Sequence, residues 1–299
     1  MSDGALLLDK PSGLSSNRAM QEARKLYGME KAGHAGTLDP LATGLLIVLF
    51  GEATKFAGQL LGADKEYVAV LKLGERTSTG DAEGTLLEKR PVTTSEAELQ
   101  LVLARFRGEI DQLPPMHSAL KRDGVPLYKL ARKGQTVERT TRRVRILLLE
   151  TTRFEPPHAE IRVRCSKGTY IRVLAEDIGA ALGTGAHLTA LRRTASGRFS
   201  ITDACGLEAL QGMAPVERLR RLLPLAALLD GLPRAELDAA SEARLRNGQV
   251  LQISGLSEGV HGVYGPGGAV IGLGSAQSGG VLKALRLTQV AEKHVKSRA

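Results

Sequence analysis

The stretch Ala159–Leu182, AEIRVRCSKGTYIRVLAEDIGAAL, changes period half-way along, and that change decides the class of fold. Ala159, Ile161, Val163 and Cys165 alternate with Glu160, Arg162 and Arg164, which is the period of a strand with one buried face. From Ile171 onward, Leu174, Ala175, Ile178 and Leu182 recur at helical spacing. Tyr170 and Arg172 therefore project near a strand-to-helix junction.

Working outward, Val144–Leu149 reads as a strand, and Ser95 with Glu98 makes a capping-box pattern for a helix running to about Phe106, with Gly108 as its stop. Tyr67–Leu73, Leu45–Phe50 and Ala5–Leu8 read as further strands. The turn Pro11-Ser12-Gly13 follows the last of these. Ser15 and Ser16 then offer an N-cap to a helix with apolar Ala19, Met20, Ala23 and Leu26, ended by Gly28. Strands and helices mix without a strict βαβ rhythm. That implies α+β architecture around a mixed, largely antiparallel sheet. After about residue 225 the texture changes to Gly-rich, short apolar pairs between Gly248 and Leu287, as in a small β-barrel module. The expected organisation is a main domain over 1–225, a barrel module over 232–290 and a polar tail over 291–299.

Composition narrows the classes of function. Apolar content of 42% with 24% charged residues is globular, neither disordered nor collagen-like. Two cysteines, Cys165 and Cys205, cannot make a disulfide scaffold or a four-thiolate zinc site. The longest apolar run, Leu45–Phe50, is far short of the ~20 residues that span a bilayer. The start, MSDGALLLDK, lacks the basic and apolar regions of a signal peptide, so a cytoplasmic protein is expected. The net charge of +9 points to an anionic partner. Residues 1–100 carry 11 basic and 14 acidic side chains, 101–200 carry 19 and 9, and 201–299 carry 11 and 9, so the middle third supplies the surplus.

No phosphate-binding GxxxxGK[ST], dinucleotide GxGxxG or metalloprotease HExxH pattern occurs, and the six histidines are dispersed. Chemistry without metal or cofactor is the simplest expectation. The stretch Gly33–Gly44, GHAGTLDPLATG, has three glycines, a proline and a carboxylate with neither helix nor strand period. Pro40 biases Asp39 away from helix, so this loop can present one carboxylate rigidly, or can equally be a structural turn with Asp39 as a cap. At Ser166–Arg172, Tyr170 can stack on a base and Arg172 can pair with a carboxylate or phosphate, or both can be structural. Tyr67, opening an apolar strand after Lys65-Glu66, reads as half-buried. The basic run Leu191-Arg192-Arg193-Thr194 can contact phosphates or form a solvated face.

At these residues the sequence resembles the bacterial tRNA pseudouridine synthase B family. The resemblance is carried by GHAGTLDPLATGLL at Gly33–Leu46, Asp9–Gly13, Lys65-Glu66-Tyr67, and Leu73-Gly74 with Thr77, Thr79 and Asp81. It continues through Pro114-Pro115, Ser118-Ala119, Lys121, Leu127-Tyr128, Ala131-Arg132, Gly134, Ser166–Arg172 and Ala186–Thr194. It thus covers about residues 5–200 in the family's order.

The resemblance implies a stand-alone enzyme that isomerises the T-loop uridine of tRNA, position 55 by tRNA convention, to pseudouridine. It implies a pseudouridine synthase fold followed by a small PUA-like RNA-binding module. The expected partner is the T arm of tRNA; neither a cofactor, a metal, a guide RNA nor a membrane is expected, and a monomer is. Asp39 matches the essential aspartate, which can attack the base, attack the sugar or abstract a sugar proton. Tyr67 matches the tyrosine that stacks on the target base, and Arg172 the arginine that pairs with the carboxylate and keeps it ionised. His34, Tyr170 and Leu191 match positions lining the pocket of the flipped nucleotide, and Lys10 falls in a motif that supports the active-site loop. His117 departs from the pattern, standing where the family generally has an aromatic residue, and Val173 stands where a small polar residue is common. The alternative is a tRNA-binding or tRNA-folding protein whose remodelling of RNA matters independently of catalysis.

Overall fold

The computed structural model describes residues 3–118 and 120–289, so Ala119 and the tail expected over 291–299 lie outside the described residues. The period-2 runs become strands of one large sheet. These are β1 (Gly4–Lys10), β2 (Ala32–Ala35), β3 (Thr43–Phe50) and β4 (Lys65–Leu73) in the first part of the chain. A two-stranded hairpin follows, β5 (Glu75–Thr77) with β6 (Leu86–Lys89). Then come β7 (Gly108–Gln112) and a second small hairpin, β8 (Lys121–Arg122) with β9 (Val125–Pro126). The remaining strands here are β10 (Arg142–Glu155), β11 (His158–Cys165), β12 (Ala186–Ser196), β13 (Phe199–Ser200) and β14 (Cys205–Gly206).

The large sheet runs β14-β1-β3-β12-β4-β11-β10-β7, with β2 pairing β3 and β13 pairing β12. Its pairings are antiparallel except β1 with β14 and β3 with β12. The mixed, largely antiparallel α+β arrangement expected from the patterning is therefore the one that forms. Helices α1 (Ser16–Leu26), α2 (Ala57–Leu61), α3 (Glu96–Arg105) and α5 (Ile171–Ala181) are placed against it, and α4 (Leu127–Ala131) packs beside the β8–β9 hairpin. Ser15 caps α1 by accepting from the Arg18 amide, and Ser95 with Glu98 forms the full capping box at α3. Helices α3 and α5 cover one face through Leu99, Leu103, Leu174 and Ile178, packed on Ala69, Leu71, Leu149 and Ile161. Helix α1 lays Ala19, Met20 and Ala23 on Leu6, Leu8, Leu46 and Val48.

The last strands form a separate five-stranded sheet: β15 (Arg234–Glu236), β16 (Leu251–Gln252), β17 (Gly259–Tyr264), β18 (Val270–Gln277) and β19 (Val281–Leu287), ordered β15-β17-β18-β19-β16. This matches the small β-barrel-like module expected from the Gly-rich texture. Tyr264 and Leu273 of this sheet share a buried cluster with Leu7, Leu45 and Ile47 of the main sheet and with Phe56 in the helical turn after β3. One difference concerns Gly33 and His34, which show no strand period yet lie in β2, paired with Leu49 and Val48. A strand of four residues is too short to display alternation, and β3 supplies its pairing.

Candidate active site

The loop from Gly36 to Ala42 joins β2 to β3 and carries Asp39. Four attachments hold it. Ser16 donates from Oγ to the Leu38 carbonyl at 2.9 Å and accepts from the Leu38 amide at 2.7 Å. The Gly13 amide donates to the Pro40 carbonyl at 2.9 Å. Lys10 is fully buried, and its Nζ donates to the Leu14 carbonyl at 2.6 Å, Pro11 at 2.9 Å and Pro40 at 3.4 Å. Arg193, 1% exposed, donates from Nε to the Leu45 carbonyl at 2.7 Å and from Nη2 to Gly36 at 3.0 Å. Gly44 is positioned where β3 meets β12 in parallel: its φ is +97°, and a Cβ there would collide with the Arg193 backbone.

Arg172 organises the rest. It enters from the first turn of α5, whose start is fixed by Gln112: the Tyr170 amide donates to Gln112 Oε1 at 3.0 Å, and Gln112 Nε2 donates to the Tyr170 carbonyl at 3.3 Å. Arg172 Nε lies 3.0 Å from Asp39 Oδ2, Nη1 donates to the Thr79 carbonyl at 3.1 Å and lies 3.6 Å from Asp81 Oδ2, and Nη2 donates to the His117 carbonyl at 2.7 Å. The planar guanidinium thus reads three loops at once, a task a lysine cannot perform. Its side chain is 6% exposed, while the Asp39 carboxylate, 41% exposed, stays open to a cavity. Burial lifts the Asp39 carboxyl above the ordinary aspartate range; Arg172 opposes this and Asp81 adds to it. Arg172 therefore favours the ionised form of Asp39 against the effect of its surroundings.

Two cavities flank the Asp39–Arg172 pair. The first, of about 320 Å³, has Tyr67 and Leu191 beside Tyr170, Ser118, Lys65 and Arg193. Tyr67 lies on β4 with its phenol raised by burial, and Leu191 lies on β12 opposite Ala69. The second, of about 550 Å³, is lined by His34, Glu83, Tyr128 and Arg132. His34 Nδ1 is buried without a hydrogen-bond partner, and burial together with the Arg193 charge lowers its pKa.

The fold thus brings Asp39, Tyr67, Tyr170, Arg172 and Leu191 around one cavity and His34 into its neighbour. Lys10 lines neither cavity; its ammonium faces the backbone of the Asp39 loop. Arg193 is corrected most. Read from the sequence as a phosphate contact or solvated residue, it is a buried clamp on the Asp39 loop, while Arg192 is the exposed member and pairs with Asp9 at 2.7 Å. His117 contributes its backbone carbonyl to Arg172, a contact open to any residue at that position. Asp81 and Thr79 are visible in the sequence only as motif residues without a role. The Thr79 hydroxyl donates to Asp81 Oδ1 at 2.5 Å, which aims the second carboxylate at Arg172.

Among known proteins, residues 24–171 match the model described as TruB family pseudouridylate synthase (N terminal domain). Residues 172–230 match the tRNA pseudouridylate synthase B C-terminal domain, and 233–288 match Pseudouridine synthase II TruB, C-terminal. A protein named tRNA pseudouridine synthase B from Burkholderia pseudomallei is 57% identical over 255 residues, covering 85% of this chain and 84% of that one. One of the same name from Ralstonia nicotianae is 52% identical over 296 residues, covering 96% and 94%. The fold is similar to a chain in the crystal structure of a Cbf5-Nop10-Gar1 complex, with 26% identity, a TM-score of 0.75 and coverage of 95% and 84% of the two chains. It is also similar to a chain in an H/ACA RNP bound to a substrate RNA containing 2'-deoxyuridine, with 25% identity, a TM-score of 0.71 and coverage of 97% and 86%. The chain belongs to the TruB family of pseudouridylate synthases.

Proposed function

We propose that this protein is a stand-alone tRNA pseudouridine synthase that isomerises the T-loop uridine at position 55, with Asp39 as the essential group. The observation that carries the reading is the Asp39 carboxylate, held 3.0 Å from Arg172 and open to a cavity with Tyr67 and Leu191. A uridine stacked in a folded T arm cannot present its sugar and base to a carboxylate that lines a cavity, so the nucleotide is flipped out, which costs a few kcal/mol of unstacking. Tyr67 and Leu191 supply an apolar slot for the base, Tyr170 lines its wall, and Arg172 fixes the carboxylate beside the sugar. His34, in the adjoining cavity, is placed to fill the space the base leaves. Lys10 acts on substrate only through the loop it supports. Phosphate contacts from the basic middle third offset the unstacking, and residues 232–289 add a second RNA-binding surface.

Purified protein and unmodified tRNA transcript, with no other RNA or protein added, test this. Pseudouridine is expected at the T-loop position and nowhere else, and Asp39→Asn is expected to abolish it while tRNA binding persists. Modification at the wild-type rate by Asp39→Asn, or none by the wild type, sinks the proposal.

A further inference from the structure

Three cations at the site are almost fully buried, and none forms an ion pair with a carboxylate among the described residues: Lys10 is 0% exposed, Lys65 8% and Arg193 1%. Their hydrogen bonds go to backbone carbonyls, for Lys65 Nζ those of Leu61 at 2.8 Å and Ala63 at 2.6 Å. Lys10 serves the loop from outside, whereas Lys65 and Arg193 line the 320 Å³ cavity itself. Both lie beside Tyr67. The sheet register sets Arg193 directly opposite Tyr67, and Lys65 is two residues back on the same face of β4. The charged lining is therefore Lys65, Arg172 and Arg193 against Asp39 alone. Burial, and then the neighbouring charge of Arg193, pull Lys65 down to about 8, so these cations already repel one another. An anion between them relieves both penalties.

We propose that Arg193, backed by Lys65, forms an electropositive floor that stabilises negative charge on the uracil once it is detached from its ribose; this rests on the reading of the site as a pseudouridine synthase. When the C1′–N1 bond breaks, its electron pair leaves with the base, which becomes a uracil anion. On rejoining, C5 supplies the electron pair for the new bond to C1′. The C5 hydrogen then departs as a proton, and N1 gains one, so no oxidant or reductant is needed. A fixed cation in a water-poor pocket stabilises such a transient anion without having to reorganise, which is how oxyanion holes act.

The test compares tRNA carrying uridine with tRNA carrying 5-fluorouridine at the target position, measuring single-turnover C1′–N1 cleavage. Fluorine withdraws electrons and stabilises the anion on its own. Arg193→Met is expected to lose about 100-fold on uridine, in the range seen when one oxyanion-hole donor is removed. The loss is expected to be several-fold smaller on 5-fluorouridine, with tRNA affinity unchanged and Arg193→Lys restoring most of the rate. Lys65→Met, which leaves the Asp39 loop clamped, is expected to show a smaller loss with the same substrate dependence, and it carries the test if Arg193→Met does not fold. Equal losses on both substrates, or rates unaffected in folded variants, overturn the inference. A wild-type protein inactive on tRNA overturns the underlying reading instead, which separates the two failures.

Discussion

Asp39 sits between opposing influences, and their balance is measurable. Its carboxyl is raised by burial and by Asp81 and lowered by Arg172. With the ionised form as the working one, activity falls as pH drops through this raised value, so the acid limb lies above the ordinary aspartate range. Asp81→Asn removes a like charge and is expected to move that limb to lower pH. A pH–rate profile under single-turnover conditions checks this, and a limb that stays in place assigns it to another group. That Asp39, Tyr67 and Arg172 meet around one cavity is legible in the sequence through the family resemblance, whereas residue type alone leaves Tyr67 a half-buried strand residue. The role of Arg193 is not legible, since charged residues are rarely buried and its partners are backbone carbonyls 148 and 157 positions away.

At the scale of the element, the Asp39 loop is held by hydrogen bonds rather than by its own geometry. Ser16→Ala strips the buried Leu38 amide and carbonyl of their side-chain partner, with an expected loss of about 1–3 kcal/mol. Because the residue bonded to Ser16 adjoins Asp39, the rate is expected to fall with tRNA affinity unchanged. Denaturant unfolding and single-turnover kinetics on one preparation measure both, and an unaltered rate would detach loop rigidity from chemistry. The long, strongly periodic elements α5, β4 and β11 are readable from periodicity and caps. The short strand β2 is not, because its hydrogen bonds come from β3 and no local signal records them.

For the whole molecule, the charge surplus of the middle third is unevenly used. Arg143 is paired with Asp111 and Arg162 with Glu66, whereas exposed Arg142 and Lys167 form no ion pair among the described residues. Arg142→Ala with Lys167→Ala is expected to weaken tRNA binding and reduce the salt slope by about 2, roughly one unit for each phosphate no longer neutralised. Arg193 variants should leave that slope unchanged. The two sheets are also coupled. Tyr264, 2% exposed, is packed into the cluster that includes Leu45 and Phe56, and Lys55 Nζ donates to the Leu287 carbonyl at 2.9 Å. A single calorimetric transition is expected, with stability lowered by about 3–5 kcal/mol in Tyr264→Ala. Two separate transitions would show that the C-terminal sheet melts alone.

The parallel contact of β3 with β12, where Gly44 admits the Arg193 backbone, also bears on the order of assembly. The Asp39 loop gains its clamp only when a strand from far along the chain docks beside it, and contacts so distant in sequence form late because their loop-closure entropy comes first. During synthesis from the N-terminus, the segments bearing Asp39 and Tyr67 emerge long before Arg193 does. Completion of the Asp39 loop's clamp is thereby tied to near-completion of the main sheet.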